Sequence, residues 1–126
     1  MDMPEHFQIA ETHAVYRPEG CVSFQEGIEL VSSAFVFSRE TGIQRLLIDL
    51  RGLTGFGLIG PVERFSFGEE MARAAMAAVK VVFVARPEIL DPDRFGVIVA
   101  RNRGLFSNAF DSEAEALKWL LDPNAA

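Results

Sequence analysis

The sequence predicts a single α/β domain, residues 1–126, in which a mixed, partly parallel β-sheet is flanked by four helices. The chain has 126 residues, the size of one domain with one core. About half of these residues (49%) are hydrophobic and eleven are phenylalanine, so material for a core is abundant. Apolar runs alternate with helical patterns in the order β-β-α-β-α-β-α-β-α, which is typical of parallel strands joined by right-handed crossovers.

The first third of the chain predicts a hairpin followed by a helix. Residues Phe7–Ala10 and Ala14–Arg17 are two short strand patterns separated by a polar break. Ser23 and Glu26 then have the S-x-x-E form of a capping box, which opens a helix, and Gly42 is placed to end it. One apolar stripe at helical spacing runs along this helix and consists of Phe24, Ile28, Val31 and Phe35.

Two short apolar runs in the middle of the chain, Arg45–Leu50 and Val79–Ala85, predict strands that are covered on both faces. Between them, Gly60 and Pro61 start a helix that is predicted to run to about Ala78. Proline suits the first helical position because the N–H that it lacks has no partner there.

The remaining residues predict a helix, an edge strand and a last helix. Asp91-Pro92 caps the first of these helices and Gly104 stops it. Leu105–Phe110 is predicted as a short edge strand. A second S-x-x-E pattern at Ser112 opens the final helix, which extends through Leu121.

Charge and composition exclude several functional classes. The net charge of −6 opposes the phosphate-neutralising surface that nucleic-acid binding requires, so no nucleic acid is expected as a partner. The longest near-apolar run, 74–85, is interrupted by Lys80 and is too short to span a membrane. With one cysteine, Cys21, and no visible secretory signal, we expect a cytoplasmic protein. His6 and His13 have no further histidine beside them, so neither a metal nor a cofactor is predicted.

The segment 46–60, LLIDLRGLTGFGLIG, and the acidic, tryptophan-containing segment 113–120, EAEALKWL, resemble the STAS domains. This family contains cytoplasmic domains of sulfate transporters and bacterial anti-sigma-factor antagonists, and the similarity is greatest to its STAS-like bacterial branch. The resemblance implies the same element order and a regulatory domain that acts through protein–protein contacts.

In the regulatory members of that family, a strand ending in Asp-Leu is followed by an Asp-Ser pair whose serine is phosphorylated. Asp49-Leu50 matches the strand end, but the Asp-Ser pair falls on Gly57-Leu58. Thr54 is the nearest hydroxyl and lies earlier in the loop, so the role of the serine is not transferred to it. The resemblance therefore implies the fold without the phosphoserine switch.

The loop after the third strand contains the pattern Gly55-x-Gly57-x-x-Gly60, which matches a dinucleotide-binding fingerprint literally. In that fingerprint the turn follows its strand at once, whereas Arg51–Thr54 intervene here, and Arg86 stands where a ribose-binding carboxylate is expected. We therefore interpret the glycines as turn residues and predict a positive φ for Gly55, Gly57 or both.

Arg51 and Arg86 each follow an apolar strand, and two parallel strands would bring both to one sheet edge beside the glycine loop. A small anion could bind there, near the N-terminus of the Pro61 helix. The alternative is that both arginines are solvated or pair with nearby carboxylates. The residues of this predicted site are Arg51, Thr54, Gly55, Gly57, Gly60 and Arg86.

The Pro61 helix carries two apolar stripes on nearly opposite sides. One is predicted to pack on the sheet and consists of Val62, Phe65, Ala72, Met76 and Val79. The other is predicted to be an interface for a homodimer or another protein and consists of Phe67, Met71, Ala74 and Ala78. The alternative is that the third or the C-terminal helix of the same chain covers this second stripe.

No arrangement of side chains in the sequence argues for catalysis. Cys21 has no histidine near it in the sequence, and Asp49, at the end of a buried strand, is better suited to holding loop N–H groups than to acting as a base. We therefore expect a non-enzymatic binding or regulatory domain that contacts proteins. The alternative function is a module for a small anionic or lipid-like ligand at the glycine loop.

Overall fold

A five-stranded mixed sheet organises the computed structural model, which describes residues 2–125. In chain order the strands are β1 (Phe7–Ile9), β2 (Ala14–Tyr16), β3 (Gly20–Cys21), β4 (Arg45–Asp49), β5 (Leu53–Thr54), β6 (Lys80–Val84) and β7 (Ser107–Phe110). Within the described residues the helices are α1 (Phe24–Glu40), α2 (Pro61–Ala75), α3 (Phe95–Asn102) and α4 (Glu113–Leu121). The α/β class, the four helices and the mixed sheet are as predicted.

The main sheet has the order β1-β2-β4-β6-β7. Strands β1 and β2 form the predicted antiparallel hairpin, and the pairs β2–β4, β4–β6 and β6–β7 are parallel. A second sheet of two strands, β3 and β5, pairs Gly20 with Leu53 and Cys21 with Thr54. The sequence analysis missed this short ribbon because two residues are too few to show a strand pattern.

The ends of the helices follow local chemistry. The capping box of Ser23 and Glu26 is present at the start of α1. Helix α2 ends three residues earlier than predicted because Met76 adopts a left-handed conformation, with φ of 48°. Helix α3 begins at Phe95 rather than at Pro92, and the Asp91 carboxylate accepts a hydrogen bond from the Phe95 N–H at 2.8 Å.

The sheet has a hydrophobic cluster on each face, as the fully buried patterns of β4 and β6 require. On one face α1, α2 and α3 cover the sheet, and Phe35 and Phe67 each contact the Phe83 ring there. On the other face α4 packs Ala116 and Leu120 against the central strands. The apolar stripe predicted for α1 faces the first cluster.

The predicted orientation of α2 is wrong for most of its residues, although Ala72 and Val79 are buried as predicted. The stripe assigned to the sheet includes Val62 and Met76, whose exposed fractions are 72% and 67%. The stripe assigned to an interface faces the core instead: Met71 is completely buried, and Phe67 and Ala74 pack partly buried against the same cluster. Ala78, the last member of that stripe, is exposed beyond the end of the helix.

The cause of this error is the position of α2 between two other helices. It packs against α1 on one side and α3 on the other while it covers the sheet. Residues of the same chain therefore cover Met71, as the alternative for the second stripe states. A homodimer through Phe67 and Met71 has no support in this arrangement.

Candidate functional site

An apolar cavity of about 460 Å³ lies between the sheet and the three helices α1, α2 and α3. This volume falls within the range of about 300–1,000 Å³ that is usual for ligand pockets. Strands β6 and β7 contribute Phe83 and Ala109 to its wall, and the helices contribute Ile28, Phe67 and Val97. The sequence analysis did not anticipate this cavity.

Each of the three helices places a glycine in the wall of this cavity: Gly27 in α1, Gly68 in α2 and Gly96 in α3. A Cβ on Gly68 would lie 2.9 Å from the Gly96 carbonyl oxygen, so this glycine allows α2 and α3 to cross closely. A Cβ on Gly27 would contact only the Val22 side chain, at 3.9 Å. Glycine inside a helix costs about 0.5–1 kcal/mol relative to alanine, and at Gly27 the result is open space rather than close packing.

The glycine loop forms one end of the cavity through its apolar residues. Phe56 and Ile59 line the cavity, whereas Thr54, Gly55 and Gly57 do not. Gly55 and Gly57 have φ of 92° and 69°, which confirms the prediction that they serve the backbone of the turn. The glycines therefore shape the loop, and the side chains between them contact the cavity.

The N-terminus of α2 already holds a carboxylate. Glu63 Oε1 accepts a hydrogen bond from the Gly60 N–H at 2.7 Å. A negative charge in this position satisfies the positive end of the helix dipole and competes with any external anion. Thr54 is occupied as well, since its hydroxyl lies 3.5 Å from the Gly20 carbonyl oxygen within the small ribbon.

Arg64 ties the glycine loop to the segment that follows β6. Its guanidinium donates one hydrogen bond to the Ile59 carbonyl at 2.6 Å and another to the Ile89 carbonyl at 3.0 Å. Both carbonyl groups belong to residues that line the cavity. Arg64 therefore holds two segments of the cavity wall together, and both of its bonds are internal to the chain.

Arg86 lies at the mouth of the cavity and retains capacity to bind an anion. It lines the cavity while 36% of its side chain stays exposed. One weak hydrogen bond, of 3.4 Å, joins its Nη2 to the Leu53 carbonyl. Its Nε makes no hydrogen bond among the described residues but forms an ion pair with the exposed Glu88 carboxylate, whose Oε1 lies 3.4 Å away.

Arg51 does not line this cavity, so the structure does not bring it to one site with Arg86. Its guanidinium forms two hydrogen bonds of 2.9 Å with the Asp49 carboxylate and one of 3.2 Å with Glu113. Arg17 binds the same two carboxylates. Pairing with carboxylates, the alternative weighed for the two arginines, therefore describes Arg51, and Arg86 also has one such partner, the exposed Glu88.

This cluster of Arg17, Asp49, Arg51 and Glu113 shifts the ionisation of its members. Burial raises the pKa of Asp49, but hydrogen bonds from Arg51 and Arg17 outweigh that effect and lower it overall. The hydrogen bonds from Arg17 lower the pKa of Glu113 despite its partial burial. All four groups are therefore charged at neutral pH, and Asp49 also anchors the loop through the Arg51 N–H, at 3.0 Å.

The other charged groups that line the cavity are mostly committed to the protein. Asp91 accepts a hydrogen bond from the N–H of Phe95, and Arg94 donates to the side chain of Asn108. Asp111 also lines the cavity and follows β7 directly, at the sheet edge where Arg86 follows β6. Arg86 and Asp111 are therefore the charged side chains of the cavity that can still meet a ligand. Arg86 would attract an anion, whereas Asp111 would repel it.

No group of three or more His, Cys, Asp or Glu side chains within residues 2–125 is arranged to hold a metal ion. In the part of the chain that the structure describes, none of the helices is both long enough and apolar enough to span a bilayer. Cys21 is exposed, in the ribbon beside Gly55.

No protein-family model matches this chain, and no curated protein is significantly similar to it. The STAS-like assignment therefore stays a prediction that depends on the segments around Asp49 and Trp119.

Sequence reasoning found Arg86 and the glycine loop but missed the cavity beside them. The residues that carry the cavity are apolar side chains and glycines, which have no chemical signature of their own. One signal was available: Gly27, Gly68 and Gly96 interrupt three consecutive helical patterns. Glycines in helix interiors are costly, so three of them in neighbouring helices indicate a close crossing or a space.

Proposed function

We propose that this domain is a non-enzymatic binding module whose cavity holds a small amphipathic ligand with an apolar chain and an anionic end. The apolar cavity of about 460 Å³ carries the proposal, because its walls come from three helices and the sheet. An acyl chain buried there gains about 0.8 kcal/mol per CH₂ group. Arg86 supplies the charge at the mouth that would meet a carboxylate.

Binding of dodecanoate tests this proposal. Isothermal calorimetry gives the dissociation constant, and a thermal melt at about one hundred times that concentration should show stabilisation of about 2.7 kcal/mol. The proposal would be contradicted if dodecanoate and its shorter and longer homologues gave neither a binding heat nor a shift in melting temperature.

Gly27→Leu is the variant that separates the cavity from the fold. Gly27 lines the cavity, and a Cβ there would contact only Val22, at 3.9 Å, so a leucine side chain is expected to take up ligand space and to lower affinity at least tenfold. Because leucine is a better helix former than glycine by about 0.8 kcal/mol, the melting temperature of the free protein should not fall. Gln25→Leu, at an exposed position of the same helix outside the cavity, is the matched control.

The charges at the mouth give two effects of opposite sign. Arg86→Gln removes a charge-assisted hydrogen bond worth about 1.5–3 kcal/mol, so affinity for dodecanoate should fall by roughly 10- to 100-fold. Asp111→Asn removes a negative charge near the carboxylate and should raise affinity several-fold. Arg51→Gln is the control, because Arg51 binds Asp49 outside the cavity. An equal loss for Arg51→Gln would place the anion at the original predicted site instead.

A second candidate function is the regulatory protein contact that the STAS-like resemblance implies. The observation that favours it is an apolar surface on α2 and α3 that includes Val62, Phe65 and Ile98, of which Val62 and Ile98 are about 72% and 48% exposed. Arg103 lies over the Phe65 ring and pairs with Glu69 at 2.9 Å, which gives this surface a charged rim. The partner would be a second copy of the chain or another protein.

Sedimentation velocity at increasing concentration tests self-association through this surface. The wild type should show a concentration-dependent dimer, and Val62→Asp should remain a folded monomer. A wild type that stays monomeric at high concentration would leave only a different protein as the partner.

A further inference from the structure

A buried hydroxyl in the cavity wall has no partner. Ser107, the first residue of β7, is 1% exposed and lines the cavity. Its Oγ makes no hydrogen bond with any described residue. Leaving a buried polar group unpaired costs about 1–3 kcal/mol, and such groups in native proteins almost always have a partner. Because Ser107 also lines the cavity, a water molecule or a polar group of a bound ligand can reach its hydroxyl from there.

The register of the sheet shows which way this residue faces. Ser107 is paired with Val81, and Ala109, two residues later, is paired with Phe83. Val81, Phe83 and Ala109 all belong to the cluster on the side of α1, α2 and α3. Side chains two apart on a strand share a face, so the Ser107 hydroxyl lies on the cavity side of the sheet.

The backbones of Ser107 and Arg86 lie at different levels along the sheet. Ser107 is level with Val81, at the start of β6, whereas Arg86 comes just after the end of that strand. Five residues of a parallel strand, at about 3.3 Å each, separate the two levels by roughly 16 Å. Apolar side chains such as Phe83 and Ala109 line the cavity between them.

We propose that the ligand of this cavity has two polar ends: an anionic group at Arg86 and a hydroxyl, or a similar hydrogen-bonding group, at Ser107. This inference rests on the proposed function and adds the second end of the ligand. Each carbon–carbon bond, about 1.5 Å long, advances an extended chain by about 1.3 Å, so the separation corresponds to roughly twelve bonds. An aliphatic carboxylate with a terminal hydroxyl belongs to this chemical class.

The test compares 12-hydroxydodecanoate with dodecanoate, which differ only in the terminal hydroxyl. Dissociation constants from calorimetry on the wild type should favour the hydroxylated acid by about 2- to 12-fold, the effect of one net hydrogen bond of about 0.5–1.5 kcal/mol. Ser107→Ala should remove this preference. Removing an unpaired hydroxyl should leave the melting temperature unchanged or higher, so this variant is expected to fold.

Ser38→Ala is the matched control. Ser38 in α1 is also completely buried with an unpaired Oγ, but it does not line the cavity. Its alanine variant should keep the preference for the hydroxylated acid.

The outcomes separate this inference from the proposed function. Equal binding of the two acids to the wild type would overturn the inference and leave the proposed function in place, as would a preference that survives in Ser107→Ala. The first of these comparisons uses the wild type alone and does not depend on the variant folding. If neither acid binds, the proposed function is contradicted, and the inference that rests on it is contradicted as well.

Discussion

Gly55 and Gly57 offer a measurement that separates backbone strain from packing in the glycine loop. Both have positive φ, 92° for Gly55 and 69° for Gly57. A Cβ on Gly57 would meet nothing within 4 Å. A Cβ on Gly55 would lie 2.6 Å from Cys21 Sγ, 3.1 Å from the Val22 carbonyl oxygen and 3.2 Å from the Val22 nitrogen.

These contacts set different costs for the two alanine variants. Gly57→Ala should lower the free energy of unfolding by about 1 kcal/mol, the cost of a left-handed conformation for an L-residue. Gly55→Ala carries the same strain and adds overpacking of about 1–3 kcal/mol, which gives about 2–4 kcal/mol in total. At roughly 4 °C per kcal/mol for a domain of this size, melting temperatures should fall by about 4 °C and about 8–16 °C.

The Cys21 side chain provides an internal check. Its Sγ turns about a single bond and can move away, whereas the Val22 atoms belong to the backbone and cannot. Cys21→Ala should therefore restore only part of the stability lost in Gly55→Ala. Urea unfolding with linear extrapolation measures the stability of the wild type, of the two glycine variants and of the double variant Cys21→Ala/Gly55→Ala. Equal losses for the two glycine variants, or full recovery in the double variant, would refute the reasoning.

Three further predictions concern the ion cluster, helix α2 and the loop. Because the folded-state pKa of Asp49 is lowered, the stability that it contributes is present above its unfolded pKa of about 3.9 and is lost as pH falls through the folded value. Asp49→Asn should therefore cost about 2 kcal/mol in urea unfolding at pH 7 and progressively less as pH falls below about 4, and a cost that does not change with pH would contradict this assignment. Met71→Asp should abolish cooperative unfolding, whereas Val62→Asp should change stability by less than about 0.5 kcal/mol; a folded Met71→Asp protein would show that α2 packs differently. After incubation with ATP and a serine kinase that phosphorylates STAS domains, mass spectrometry should find residues 51–60 unmodified, and stoichiometric phosphate on Thr54 would contradict the absence of a switch.

The elements predicted best from the sequence are those whose signals are local. The capping box at Ser23, the proline at position 61 and the uniformly apolar run before Asp49 each depend on residues within one or two turns, and the structure contains all three features. Gly55 and Gly57 likewise indicate a local feature, the positive φ angles of their own turn.

The parts that sequence reasoning missed depend on residues far apart in the chain. Helical periodicity showed two apolar stripes on α2, but which of them is buried depends on where α1 and α3 lie. The fate of Arg51 depends partly on Glu113, which comes 62 positions later in the chain. Nothing in the sequence distinguishes Ser107 from another serine in a short strand. Its possible contact with a ligand follows only from its burial beside the cavity.

The packing of α4 has a consequence for the synthesis of this protein. Leu47, Val82 and Val84 form an apolar sheet face that Ala116 and Leu120 of α4 cover. Leu120 lies 36 positions after Val84, so a ribosome adding about 5–20 residues per second needs roughly 2–7 s to supply it. Until α4 has been made and has docked, this apolar sheet face has no helix over it, and slow completion of α4 would prolong that state. The yield of correctly folded protein should therefore depend on how quickly the codons from Val84 to Leu120 are read and on chaperones that shield the uncovered face.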